Sequence, residues 1–209
     1  MRWNHLLTVG AAVSAMALMA AGAYAQSAAP AEPGVATDLN RTRAAIINKQ
    51  YKAAATDLRK AAALLSAEAE RASDDNRTKL KRDVAALRVL ASDLEGGHVK
   101  DVTAFDAQLV RTRADLAGHH YVESAEAWAK KDTVAAGRSL AAAARYVKDA
   151  LSAAGQETEI DTARGLKAAE SFGEKLANKT TTGTEQAWTT ATDAVRRGMD
   201  KLGKVVGGG

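Results

Sequence analysis

The chain has 209 residues, 29 basic against 25 acidic side chains (net charge +4), no cysteine and only 4% aromatic residues. The absence of cysteine excludes disulfide scaffolds, thiol catalysis, zinc fingers and Cys-ligated iron–sulfur clusters. Alanine fills 49 positions and both prolines precede residue 34. The composition therefore predicts an all-α protein, because alanine has the highest helix propensity and proline breaks helices.

The first 25 residues have the features of a cleavable signal peptide. Arg2 gives a short basic start, residues 6–21 form an uncharged apolar run, and an Ala-Tyr-Ala sequence ends at Ala25. We predict cleavage after Ala25 and a periplasmic or secreted protein. The alternative is a retained membrane helix over residues 6–25, which are enough to span a bilayer. A run so rich in Ala and Gly is weakly hydrophobic, which favours cleavage.

The remaining chain divides into three predicted segments. Residues 26–37 combine Pro, Ser, Ala and Gly without periodicity and are predicted to form a disordered leader. A helical bundle is predicted over residues 38–179, followed by an amphipathic helix and a glycine tail over residues 180–209. Removal of the signal peptide leaves a net charge of about +3, which is too small to indicate nucleic-acid binding.

Two helices are predicted on either side of a polar turn at residues 73–76, the first of them from Tyr51. In both, apolar or small side chains recur at alternating spacings of four and three residues, which places them on one helix face. The two stripes are Ala55, Leu58, Ala62, Leu65, Ala69 and Ala72, and then Leu80, Val84, Leu87, Ala91 and Leu94. Gly96 and Gly97 are predicted to end the second helix.

The second half of the chain predicts further helices. A long helix is expected over residues 101–131, and Asp132 is expected to cap the next one. Glycines from Gly155 onward leave open whether that next helix is continuous. Residues 182–185 match a capping box for a last helix that ends near Val206. The predicted fold is thus an antiparallel bundle of five to six helices with a C-terminal amphipathic helix.

A polar row lies inside the apolar face of the helix over residues 101–131. Asp106, Arg113 and His120 are spaced seven residues apart, so they share one side of that helix. They could form a buried proton or metal site, or fix the helix register through partners on a neighbouring helix. We favour the second interpretation. His119 is predicted to lie on the charged face, about 100° from His120, so that the two imidazoles cannot chelate one ion.

No cofactor and no catalytic residue are predicted. A metal site would need a further ligand pair, such as His at i and i+4 or Glu-x-x-His on two helices, and we identify neither. For a haem, His120 with Met199 is the conceivable axial pair. Phosphate loops, nucleophile elbows and catalytic triads are not recognisable. The sequence therefore predicts a non-enzymatic protein.

The last predicted helix is amphipathic. Its apolar side comprises Trp188, Ala191, Val195, Met199, Leu202 and Val206, and its basic side comprises Arg196, Arg197, Lys201 and Lys204. Such a helix could lie at a membrane surface, with Trp at the boundary and cations near lipid phosphates. The alternative, which we favour, is that the apolar side covers the core of the bundle.

Residues 38–206 resemble a family of exported alanine-rich helical-bundle proteins of bacteria. The resemblance is carried by His119-His120-Tyr121 and by the sequence Ala-Trp-Ala-Lys-Lys-Asp over residues 127–132. That family has no assigned activity, so the resemblance implies a fold and a compartment but no function.

Three hypotheses of function follow. The first is a non-enzymatic exported bundle that binds another macromolecule or itself, in an envelope or stress role, with Tyr121 and Trp128 as the interaction surface. The second is peripheral membrane or lipid binding through the C-terminal amphipathic helices over residues 160–206. The third is a bundle that binds a metal ion or a haem.

Overall fold

The computed structural model describes residues 34–98, 102–156 and 159–207, and these residues form an all-α bundle, as predicted. The helices are α1 (Val35–Ile47), α2 (Tyr51–Arg71), α3 (Asp74–Glu95), α4 (Val102–Ala129), α5 (Thr133–Ala153), α6 (Ile160–Ala177) and α7 (Glu185–Gly207). Helices that follow one another in the chain pack side by side. The predicted signal peptide and the first part of the predicted leader lie outside the described residues.

The described residues contain seven helices, which matches the predicted bundle of about five to six helices with a C-terminal amphipathic helix. Two helix boundaries differ from the prediction or were left open by it. Helix α1 begins at Val35, inside the segment predicted as a leader. The long segment after Asp132 is broken, because α5 ends at Ala153 and Gly155 takes a left-handed backbone with φ of 63°. Glycine adopts that conformation without steric cost.

Three of the turns between helices place a lysine in the left-handed conformation. The φ angles of Lys49, Lys131 and Lys179 are 58°, 63° and 55°. At each turn, the amides of the lysine and of the next residue donate hydrogen bonds to carbonyls in the last turn of the preceding helix. This is the Schellman arrangement, which usually places glycine at that position.

The helix starts agree with the sequence at one position and differ at another. Asp132 caps α5 as predicted, since its Oδ1 accepts a hydrogen bond of 3.0 Å from the amide of Ala135. The predicted capping box at residues 182–185 is wrong. Thr184 caps α7 through a 3.2 Å bond from the amide of Ala187. Glu185, the first helical residue, instead accepts a 3.2 Å hydrogen bond from Nε1 of Trp128.

Two connected groups of buried side chains form the interior. The N-terminal core is built from α1, α2, α3 and the first half of α4, and the C-terminal core from α4, α5, α6 and α7. The largest fully buried side chains of the N-terminal core are Leu39, Leu58, Leu65, Leu80, Leu87, Phe105, Leu109 and Leu116. Those of the C-terminal core are Leu140, Leu151, Leu166 and Leu176. Helix α4 contributes to both cores, so it has neighbours on most of its sides.

Helices α5 and α6 approach each other through a pair of glycines. A Cβ added to Gly137 would lie 2.5 Å from the carbonyl oxygen of Gly173, and one added to Gly173 would lie 2.6 Å from that of Gly137. Neither position can accept a side chain without moving a backbone. This close contact fixes α5, which carries Ser139 and Tyr146, against the rest of the C-terminal core.

Candidate metal-binding site

His119 is a buried residue, and its predicted position on the charged face of α4 is wrong. Its side chain is 0% exposed. The prediction assumed that the charged face of this helix, which also carries Asp115, faces solvent. In the structure that side faces other helices, since Asp115 accepts a 2.7 Å hydrogen bond from Arg82 of α3 and His119 lies against Glu68 of α2.

Three potential metal ligands of α4, namely His119, His120 and Glu123, lie close together. One ligand atom each from His119, His120 and Glu123 falls within 4.8 Å of the others. His119 Nε2 is 3.4 Å from Glu123 Oε1, and His120 Nδ1 is 3.0 Å from Glu123 Oε2. The two imidazole centroids are 5.0 Å apart.

The prediction that the two histidines cannot share an ion is therefore wrong in its geometry. Side chains of neighbouring helical residues diverge by about 100°, but Glu123 follows His119 by four positions and His120 by three, and so projects between them. A carboxylate has two oxygens, and one faces each ring. The signal in the sequence is His-His-x-x-Glu, a pattern missed because only His pairs at i and i+4 and the order Glu-x-x-His were considered.

A fourth group reaches the site from α2. Glu68 Oε2 lies 3.5 Å from His119 Nε2, while its Oε1 lies 2.6 Å from Arg71 Nη2. A fifth side chain, Ser139 of α5, donates a 3.4 Å hydrogen bond to Glu123 Oε2. We call Glu68, His119, His120 and Glu123 the histidine–carboxylate cluster.

Both carboxyl groups of the cluster are held in their ionised form. The pKa of Glu68 is lowered to about 2 by His119 and, against the opposing effect of burial, by Arg71. Burial raises the pKa of Glu123, but the hydrogen bond with His120 and the charges of both histidines outweigh it and lower that pKa overall. The cluster thus presents two carboxylates at neutral pH.

The ring of His120 is oriented by an aromatic neighbour. It stacks on Tyr146 of α5, with centroids 5.5 Å apart and planes inclined by 5°. Burial raises the pKa of Tyr146 to about 12, so its phenol stays protonated and adds no negative charge. Stacking and the bond to Glu123 together fix the direction of His120 Nδ1.

Three polar atoms of the cluster have no hydrogen-bond partner among the described residues. They are both ring nitrogens of His119 and Oε2 of Glu68. A buried polar atom without a partner costs about 1–3 kcal/mol, so native proteins rarely leave one unpaired. Two of these atoms, His119 Nε2 and Glu68 Oε2, face each other at 3.5 Å, and His119 Nε2 is also 3.4 Å from Glu123 Oε1. A cation between them would give both atoms a bond, whereas His119 Nδ1 points to the other side of the ring.

The rest of the predicted polar row lies elsewhere on α4. Asp106 pairs with Arg43 of α1 through bonds of 2.8 and 3.1 Å. Arg113 is 3% exposed and donates hydrogen bonds to the Asn40 side chain and to the carbonyl oxygen of Asp149. These contacts join α4 to α1 and α5, which agrees with the register-fixing interpretation. They do not bring Asp106 or Arg113 into contact with the cluster.

The predicted interaction residues make contacts inside the bundle. Tyr121 is half-buried against the C-terminal core. Trp128 stacks on Trp188 of α7, with centroids 4.4 Å apart and planes inclined by 1°. Binding of a partner through Tyr121 and Trp128 stays a prediction.

The apolar side of α7 also faces the bundle. Trp188, Val195 and Leu202 are at most 6% exposed, and Met199 and Val206 are partly buried against the C-terminal core. The basic residues of α7 lie on the other side of the helix. Arg196 pairs with Asp193, and Lys201 lies 3.5 Å from Glu159. Arg197 and Lys204 are exposed. Within the described residues, no helix has the length and apolar character needed to cross a bilayer.

The described residues form a seven-helix bundle with a partly buried group of potential metal ligands. Comparison with protein-family models, curated proteins and solved structures finds no match to this chain. The likeness to alanine-rich exported bundle proteins accordingly implies no function, and a proposal must rest on the cluster itself.

Proposed function

We propose that this protein binds a divalent transition-metal ion through His119, His120 and Glu123. The observation that carries the proposal is the arrangement around His119, a fully buried imidazole whose Nε2 lies 3.4 Å from Glu123 Oε1 and 3.5 Å from Glu68 Oε2, with His120 beside it. An ion at this position would give that nitrogen a bond and would balance the carboxylate charge.

The donor types determine the class of ion. Imidazole nitrogen combined with carboxylate oxygen suits Zn²⁺, Co²⁺, Ni²⁺ and Cu²⁺. Mg²⁺ and Ca²⁺ prefer sites made entirely of oxygen ligands. We therefore expect selectivity for transition metals over alkaline-earth ions.

Metal titration of the purified full chain tests the proposal. Isothermal titration calorimetry should give one Zn²⁺ per chain, Co²⁺ should develop a visible absorption band, and Mg²⁺ and Ca²⁺ should give neither signal. The double variant His119→Gln/His120→Gln should lose Zn²⁺ affinity by about 100-fold or more, since even outer-shell changes typically cost 10–100-fold.

Two matched controls separate the cluster from histidine and glutamate in general. His98→Gln removes an exposed imidazole after α3, and Glu126→Gln removes an exposed carboxylate one turn from the site. Both should bind Zn²⁺ like the wild type, whereas Glu123→Gln should not. The proposal fails if the wild type binds no stoichiometric Zn²⁺ or if the double variant binds as tightly as the wild type.

The metal site is proposed to act outside the cytoplasm, as an exported bundle with coiled-coil-like packing. The basis is the signal-peptide pattern of residues 1–25 and the alternating spacing of four and three residues. Expression of the full chain in a bacterium, followed by N-terminal sequencing of the envelope fraction, should give Gln26 as the first residue. Recovery of only the uncut chain would contradict export by cleavage.

A further inference from the structure

We infer that Glu68 of α2 is the fourth ligand of this ion, and that the ion occupies a tetrahedral, zinc-type site that joins α2 to α4. The inference rests on the metal binding proposed above. It adds a ligand from a second helix, a coordination geometry and a mechanical consequence, none of which follows from the three residues on α4.

Two of the six donor-atom separations match those of a tetrahedral site. Ligand atoms at the usual zinc distances of about 2.0–2.2 Å, placed at the corners of a tetrahedron, are about 3.4 Å apart. His119 Nε2 lies 3.4 Å from Glu123 Oε1 and 3.5 Å from Glu68 Oε2. These two separations match a shared ion. His119, His120 and Glu123 each place a ligand atom within 4.8 Å of the others, and Glu68 would join that set by turning its carboxylate further toward the ion.

The two oxygens of Glu68 have different neighbours. Oε1 is held by Arg71, one turn along α2, at 2.6 Å. Oε2 is buried without a hydrogen-bond partner among the described residues and faces His119. Glu68 is thus arranged to coordinate through Oε2 alone, and Arg71 is a positioning residue that sets this orientation.

The charge balance favours the same ligand set. Two neutral imidazoles and two carboxylates around a divalent ion give a site with no net charge. A neutral site costs much less to bury than an isolated ion, because the desolvation penalty falls when opposite charges are paired. Without Glu68 the ion would keep one uncompensated positive charge in a largely buried position.

Helix α2 does not pack along α4, and Glu68 reaches the site through its side chain. Coordination would therefore add a direct bond between the α2–α3 hairpin and the second half of α4. Because the ion binds only when both helices are in place, Zn²⁺ should raise the unfolding temperature of the wild type.

The experiment compares Glu68→Gln with Glu70→Gln in the full chain. Glu70 lies on the same helix, is 65% exposed at its side chain and pairs with Lys81. We expect Glu68→Gln to weaken Zn²⁺ binding by about 100-fold, to remove the rise in unfolding temperature, and to reduce the intensity of the Co²⁺ absorption band that marks tetrahedral coordination. Glu70→Gln should match the wild type in all three measurements.

Two further variants keep the test decisive if Glu68→Gln does not fold. Glu68→Asp keeps the charge but withdraws the carboxylate, and should also lose affinity. Arg71→Gln should weaken binding by about tenfold, since it changes only the outer shell. The inference is overturned if the wild type binds Zn²⁺ and the foldable Glu68 variants bind it equally well with the same Co²⁺ spectrum; metal binding by α4 would then still stand. Absence of Zn²⁺ binding by the wild type would overturn both.

Discussion

We expect the buried carboxyl of Asp83 to make the stability of this protein depend on pH. The side chain lies on α3, is 0% exposed, and accepts a 3.2 Å hydrogen bond from Gln108 of α4. Arg82 Nη2 lies 3.4 Å from Asp83 and 2.7 Å from the carboxylate of Asp115 on α4. Burial, followed by the negative charge of Asp115, raises the pKa of Asp83 to about 7.

The sign of the effect follows from proton binding. The folded state keeps the proton of Asp83 up to about pH 7, whereas an unfolded aspartate releases it near pH 3.8. Between these values the folded state binds more protons, so the free energy of unfolding falls as pH rises. A pKa raised from 3.8 to about 7 corresponds to about 4 kcal/mol. Relaxation and water entry around a newly charged buried group reduce this, and we expect a loss of about 2 kcal/mol.

Urea unfolding followed by circular dichroism at pH 4, pH 6 and pH 8 measures this loss. Asp83→Asn cannot ionise, so it should flatten the fall in stability and be more stable than the wild type at pH 8 by about 1–2 kcal/mol. Asp75→Asn, an exposed change on the same helix, should keep the wild-type slope. Equal slopes in wild type and Asp83→Asn would show that the reasoning about this buried carboxyl is wrong.

Two other predictions concern packing. Gly137→Ala should destabilise the fold by about 1–3 kcal/mol, because the added Cβ would meet the backbone of α6. Gly203→Ala in α7 has open space around it and should raise stability by up to about 1 kcal/mol. Equal unfolding midpoints of the two variants would contradict this. The stacked pair Trp128 and Trp188 should show a coupling of about 0.5–1.5 kcal/mol in a double-mutant cycle of Leu substitutions, and additive effects would show that the stacking contributes nothing.

The helices were predictable because their signal is local. The stripe from Ala55 to Ala72 marks the buried face of α2, and Leu65, in its middle, is 0% exposed. Gly97 and Asp132 likewise mark a helix end and a helix start, because a left-handed backbone and an N-cap are properties of one or two residues. The break at Gly155 was left open, since a glycine inside a helix and one after its end look alike in a sequence.

The cluster could be predicted only in part, because it depends on contacts between helices distant in the chain. Glu123 between His119 and His120 follows from helix geometry and could have been found from the sequence. The burial of His119 could not, because it depends on which helices surround α4. The approach of Glu68 depends on how α2 lies in the bundle, and no periodicity in the sequence records that.

The three lysines in left-handed turns are positions at which a substitution would stabilise the fold. A residue with a side chain in the left-handed region is strained by about 1–2 kcal/mol relative to its preferred conformations, and glycine is not. Lys49, Lys131 and Lys179 are exposed, so exchanging them for glycine would disturb neither core. An engineer seeking a more heat-resistant version of this bundle would therefore begin at these turns, leaving the interior and the proposed metal ligands as they are.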